Sequence, residues 1–264
     1  VTRGPGGCSS LLPDLVLLPF VDLDPDLAAL RPLGGFFVLR TAGAPLDSPP
    51  TLAQAYAHRG EDVYADSVTF RVRTVANRIR TSGLRVSASV AQQALAARLW
   101  SIALGCAVLY GAVPDLDPGL LHWDATASAP DDLWLADVRP RAAGAATLTE
   151  LVVTGHLEPL NAALHARYGV AEGLLWGNAG SALAGAAREL DRWARGANTD
   201  AGERAHALAA DLFTHPRLAP TGTLTGTTFR RRSCCLYYRV PGGGVCGDCC
   251  FTRAPWSSPG AASG

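Results

Sequence analysis

The chain has 264 residues and no net formal charge, with 23 basic and 23 acidic side chains. That length suits one large domain, or one domain with a small appendage, and a chain of this size buries roughly 75% of its unfolded surface without disulfide staples. The balanced charge gives no support to a general nucleic-acid role, and an apolar content of 48% excludes wholesale disorder.

All the basic residues are arginine and methionine is absent. Together with abundant Ala, Gly and Pro, this reads as the mark of a GC-rich coding sequence rather than of a function. The apolar run 11–21 is broken by Pro13, Asp14 and Pro19 and has no basic flank or cleavage pattern, so it does not read as a secretory signal. The expectation is a cytoplasmic protein, with its thiols reduced.

GGFFVLRTAG, residues 34–43, reads as a short strand or a strand edge between glycines. Val68, Val72, Val75, Ala76 and Ile79 recur at helical spacing and predict an amphipathic helix ending near Gly83. Ser87 or Ser89 is placed to cap the next helix, over about 90–111, which is apolar on nearly every face and therefore central to the core. Gln92, Gln93 and Arg98 argue that it is not a membrane span. No transmembrane segment is expected, and peripheral association with a membrane stays compatible with the sequence.

Between 119 and 155, LLHW, DLWLADV and LTELVV read as strands, with the flexible RPRAAGAA among them. Three helices are predicted near 156–168, 171–195 and 200–214, the last stopped by His215 and Pro216. RLAPTGTLTGTTF then reads as a connection with a short β segment, and SSPGAASG as a frayed tail.

Five of the seven cysteines fall within the eighteen residues from Ser233 to Cys250. Cys234 and Cys235 are adjacent, ten residues follow, then Cys246-x2-Cys249, with Cys250 directly after. Two residues between thiols let a turn bring both sulfurs to one metal. Adjacent thiols suit a single zinc ion poorly, since neighbouring Cα atoms are about 3.8 Å apart and extended side chains diverge. A two-iron cluster accepts a wider spread of thiolates. Gly242, Gly243, Gly244 and Gly247 permit close approach of backbone to a bulky group. Arg230, Arg231, Arg232, Arg239 and Arg253 flank the thiols and can screen the charge of a cluster or attract an anionic partner or chelate.

RRRSCCLYYRVPGGGVCGDCC resembles the C-terminal motif of the FhuF-like ferric-siderophore reductases. Upstream, HLEPLNAALHARYGVAEGLLWGNAGSALAGA and AARLWSIALGCAVLYGAVPDLDPGLLHW are similar to that family's central segments, so the resemblance covers roughly residues 60–253. It implies an α+β fold: a mainly helical body over 1–218, a small C-terminal [2Fe–2S]-binding module over 219–254 and a flexible tail over 255–264. It also implies Cys234, Cys235, Cys246 and Cys249 as cluster ligands, with Cys250 outside the pattern. The implied activity is one-electron reduction of siderophore-held Fe(III), of hydroxamate type, with a ferredoxin or flavoprotein as electron donor.

Plainer readings stand beside these. The thiol cluster also fits a zinc-stabilised interaction module, or an electron carrier or redox sensor with no substrate of its own. Cys8 and Cys106 are isolated, and Cys106 reads as a buried small hydrophobe. Trp176, Gly177 and Asn178 suit helix packing, although Trp176 joins Arg230, Arg231, Arg232 and Arg239 as a candidate substrate contact. Tyr237 and Tyr238 are expected to shield the cluster from water. His156 and His165 lack a metal-ligand spacing and read as surface or satisfied core histidines. There is no GxSxG and no P-loop, and neither a nucleophile elbow nor a nucleotide site is predicted.

Overall fold

A computed structural model describes residues 23–41, 49–57 and 66–255. Cys8, the apolar run 11–21, the end of GGFFVLRTAG and the SSPGAASG tail lie outside the described residues.

Among the described residues, the first two elements are short: a 3-10 turn over Ala28–Leu33 and helix α1, Leu52–Ala57. Helix α2 covers Ser67–Arg78. The Asp66 side chain accepts from the Thr69 N–H, which satisfies one of the donors a helix leaves free at its start. Helix α3, Leu84–Tyr110, is 27 residues long, about 40 Å at 1.5 Å per residue. It begins at Leu84, with Gly83 as its N-cap, about six residues before the expected start. The predicted caps are helical residues instead: Ser87 Oγ bonds back to the Leu84 carbonyl, and Ser89 Oγ reaches across to the Cys235 carbonyl.

Strands β1, Ala112–Pro114, β2, Leu121–Trp123, β3, Leu133–Leu135, and β4, Pro140–Ala142, follow. They form two antiparallel ladders, β1 with β4 and β2 with β3. LLHW and DLWLADV thus supply strands as predicted, and RPRAAGAA supplies β4. Among its described residues GGFFVLRTAG contributes one bridge, Arg40 to Trp134, the strand edge that its pattern allowed.

LTELVV is helical, against the strand expected. Helix α4, Ala145–Leu148, runs through a wide π segment, Thr149–Leu157, into α5, Glu158–Tyr168. Leu151, Val152 and Val153 are all buried. A strand with one solvated face would alternate, so three consecutive core positions require another geometry here. The π turn also swings His156 fully into the core.

Helices α6, Glu172–Ala197, and α7, Ala201–Leu212, complete the body. The chain then forms a hairpin of β5, Gly222–Thr225, and β6, Thr228–Arg231. Helix α3 lies at the centre, packed on α2, α5, α6 and α7. Among the described residues it is the one helix long and apolar enough to cross a membrane, and 78% of its most apolar window is buried by these neighbours. Its Arg98 is buried as well. The guanidinium pairs with Asp132 at 3.0 Å and donates to the carbonyls of Gly35, Phe36 and Pro130. A buried charge held by so many acceptors fixes the turn at 34–37 against α3. The whole is α+β and mainly helical, as expected from sequence.

Candidate functional site

The five clustered thiols lie on the segment that leaves β6. That hairpin rests on α6, and two glycines permit the contact. A Cβ at Gly177 would sit 2.1 Å from Ser233 Oγ, and one at Gly180 would sit 2.5 Å from Thr221 Oγ. Asn178, between them in sequence, joins three elements. Its amide donates to the Ser89 carbonyl and hydroxyl on α3, each at 3.0 Å, and its Oδ1 accepts from Arg231 Nη2 at 2.7 Å. Ser89 Oγ in turn donates to the Cys235 carbonyl at 2.8 Å. The LWGNAG stretch is therefore the platform on which the thiol segment is built. Trp176 is buried in the same helix with Arg217 over its ring, and it is packed rather than displayed.

The second thiol pair is set by a tight turn, in which the Cys249 N–H donates to the Cys246 carbonyl at 3.0 Å. Within that turn Asp248 is 8% exposed and accepts from Ser181 Oγ and from Arg188 Nη2 at 3.1 Å. Its carbonyl also accepts from the Arg231 N–H at 2.9 Å. The turn is thus tied both to α6 and to the end of β6. Tyr238 meets Phe251 edge-on at 5.9 Å, which closes the loop between the thiol pairs. Tyr237 is 40% exposed, so of the two tyrosines it leaves more ring to solvent.

Backbone donors already face the sulfurs. The Leu236 N–H reaches Cys234 Sγ at 3.3 Å and the Phe251 N–H reaches Cys249 Sγ at 3.4 Å. Hydrogen bonds of this kind favour the thiolate, the form that ligates metals. Cys235 and Cys246 share a hydrogen bond between their side chains. That bond, with the Tyr237 N–H and the Arg231 charge, pulls the Cys235 thiol below the usual thiol range against the effect of burial. Burial pushes Cys234 up to about 11. Cys246 and Cys250 are raised too, the first by its bond to Cys235 and the second by burial and its neighbour Cys249. The thiols approach one another in pairs, and among the described residues no three His, Cys, Asp or Glu side chains are grouped to hold one ion.

Arg231 tests what the thiols can hold. It is 2% exposed, and neither Nε nor Nη1 has a partner. No carboxylate pairs with it among the described residues, whereas it acts electrostatically on Cys235, Cys246 and Cys250. Ser233 Oγ, beside Cys234, is also buried and unpartnered. A buried cation without a counter-ion is costly. An oxidised all-thiolate [2Fe–2S] group carries about two negative charges, and with its sulfur acceptors it fits both orphaned groups. Cys234, Cys235, Cys246 and Cys249 stand where they can supply the thiolates. Among the other arginines, 230, 232, 239 and 253 are exposed and have no carboxylate partner among the described residues.

Sequence reasoning missed Asp248, Ser89 and Ser181. An aspartate inside the C-x2-C turn was visible, but its side-chain partners both come from α6, some sixty residues away. Cys106 is fully buried in α3, where burial pushes its thiol up.

No curated protein matches the chain. The family model described as FhuF 2Fe-2S C-terminal domain matches residues 231–251, the stretch that holds all five thiols. That described as Ferric iron reductase FhuF-like transporter matches residues 92–234, from the middle of α3 to the first clustered cysteine. With its thiol segment carrying a [2Fe–2S] cluster, the chain belongs to the FhuF-like ferric iron reductase family.

Proposed function

We propose that the protein reduces Fe(III) held in a siderophore, of hydroxamate type, by one electron, and that the weaker hold of oxygen ligands on Fe(II) then frees the metal. When bound, the [2Fe–2S] cluster supplies the one-electron couple. Cys234, Cys235, Cys246 and Cys249 would hold it, residues 219–254 forming a module carried on the helical body. Cys249 is preferred to Cys250 because it is more buried and its sulfur takes the Phe251 N–H. The reaction is placed in the cytoplasm.

One observation carries the reading. Cys234, Cys246 and Cys250 are partly exposed, whereas Arg231 behind them is buried. Thiols at the rim exchange electrons with molecules outside the protein over a short path, and the buried cation offsets the charge they bring together. The exposed Arg230, Arg232, Arg239 and Arg253 favour an anionic donor protein, a ferredoxin or flavoprotein, by long-range attraction. No general base or nucleophile is required.

The test is to mix anaerobic, reduced protein with a ferric tris-hydroxamate and an Fe(II) trap. A reductase is reoxidised as Fe(II) appears in the trap. A carrier or sensor shows no reoxidation specific to the chelate, and a zinc protein is colourless from the start.

A further inference from the structure

A cavity of about 560 Å³ borders the thiol module. Its walls are the turn Gly34–Phe37, one face of α3 with Gln93, Ala97 and Ser101, one face of α6 around Gly185, and the turn Cys246–Asp248. We propose that this cavity is the seat of the ferric chelate, with Phe36 and the α6 face around Gly185 setting what fits and Cys246 standing in its wall. The inference rests on the reductase reading and adds a location to it.

The volume lies in the range of small-molecule sites. The hollow exists because Ala97, Ala182, Gly185 and Ala186 present almost no side chain to it. Phe36 is 45% exposed at the rim, whereas the adjacent Phe37 is 1% exposed and in the core. The buried Arg98 fixes the Phe36 turn through two carbonyls, so the ring is held in place without being packed away. Opposite, Asp248 pins the cysteine turn to α6 through Ser181 and Arg188. The cavity is thus bounded by two restrained turns, one aromatic and one bearing a cluster thiol. A larger cavity of about 880 Å³, by Tyr56 and Tyr168, is lined by no cysteine.

The lining also limits charge. Its one cation, Arg188, is paired with Asp248, and Glu189 is paired with Arg192. Apolar linker chains of a chelate suit Phe36 and the alanines, and Gln93 and Ser101 offer hydrogen bonds to its oxygens. A triply anionic chelate finds no unpaired cation there, and desolvating it is correspondingly unfavourable. In the reaction one electron passes to Fe(III), giving Fe(II), and a one-electron donor protein replaces it. No bond to the protein forms or breaks.

The experiment uses holoprotein and the gallium(III) complex of a linear tris-hydroxamate, which binds without being reduced. Gly185→Leu fills the cavity from a position where a Cβ meets nothing nearer than Arg188 Nη2 at 3.9 Å. Phe36→Ala removes the rim without touching α6. By calorimetry each variant should bind the gallium complex at least tenfold more weakly than wild type, with the visible spectrum and potential of the cluster unchanged. Failure of wild type to bind the complex, or wild-type affinity in both variants, overturns the site. Wild type that is reoxidised by the iron complex while both variants bind as well as it does leaves the reductase reading intact and removes only the location. Wild type that binds gallium complex but is never reoxidised by the iron complex removes the reductase reading and keeps the cavity as a chelate site.

Discussion

Arg231 Nη2 donates to Asn178 Oδ1 at 2.7 Å, and Asn178 is the one side chain among the described residues that bonds this buried guanidinium. The same Asn178 anchors Ser89, which holds the Cys235 carbonyl. The charge nearest the thiols and the backbone carrying them are therefore fixed by one residue of α6. Reduction adds an electron beside that charge, so a positive Arg231 favours it. Arg231→Met should lower the midpoint potential on the order of 60 mV, a tenfold change for a one-electron couple, and weaken cluster retention. Arg231→Lys should shift it less. Redox titration followed by electron paramagnetic resonance measures both, and an unchanged potential in Arg231→Met would show that the charge is offset elsewhere.

Cys249 and Cys250 are neighbours with different surroundings. Cys249 is 4% exposed and accepts the Phe251 N–H, whereas Cys250 is more open and lies beyond the turn. Cys249→Ser should abolish the visible absorption and the bound iron and sulfide. Cys250→Ser should keep most of all three. Absorption and iron analysis of anaerobically purified variants decide, and the reverse pattern would move the fourth ligand to Cys250.

Much of this was legible in the chain because the signals are local. The C-x2-C turn, the period of α2 and the end of α7 shortly before His215 and Pro216 each depend on residues close in sequence. The errors fall where tertiary burial overrides local pattern. LTELVV has strand-like composition, yet three consecutive core positions at 151–153 make it a wide helix. The long contacts could not be read at all. Nothing at Gly177 announces that Ser233 lies against it, and Asp248 gives no sign of Ser181 or Arg188. Asn178 was expected to serve helix packing and does so at Ser89, but its role as the partner of Arg231 needed the fold.

Gly177 offers a direct test of how the hairpin docks. An added methyl would sit 2.1 Å from Ser233 Oγ and 3.1 Å from Arg231 Nη2. Gly177→Ala must push β6 away from α6, at roughly 1–3 kcal/mol for overpacking, and the thiol segment should move with it. The expected result is a lower melting temperature together with faster cluster loss. Ser233→Ala in the same chain removes the nearest clashing atom and should restore part of both, so the two substitutions should be non-additive. Additive melting shifts would mean that the two residues do not touch.

His156 makes stability depend on pH far from the cluster. Its Nε2 faces the Leu116 carbonyl at 2.6 Å, so that nitrogen carries the proton, and Nδ1 accepts from the Tyr56 hydroxyl at 3.0 Å. The ring is fully buried, and burial pulls its pKa down from 6.5 to about 4. The unfolded chain therefore takes up a proton at this ring near pH 6.5 that the folded chain refuses until near pH 4. Stability is fully present above pH 6.5 and falls as the pH drops towards 4, by up to ~3 kcal/mol. His156→Gln should cost about 1–3 kcal/mol at neutral pH through imperfect buried hydrogen bonds, and it should flatten the decline between pH 6.5 and 4. Denaturant titrations at a series of pH values read both effects. A decline as steep in the variant as in wild type would assign the acid sensitivity to other groups.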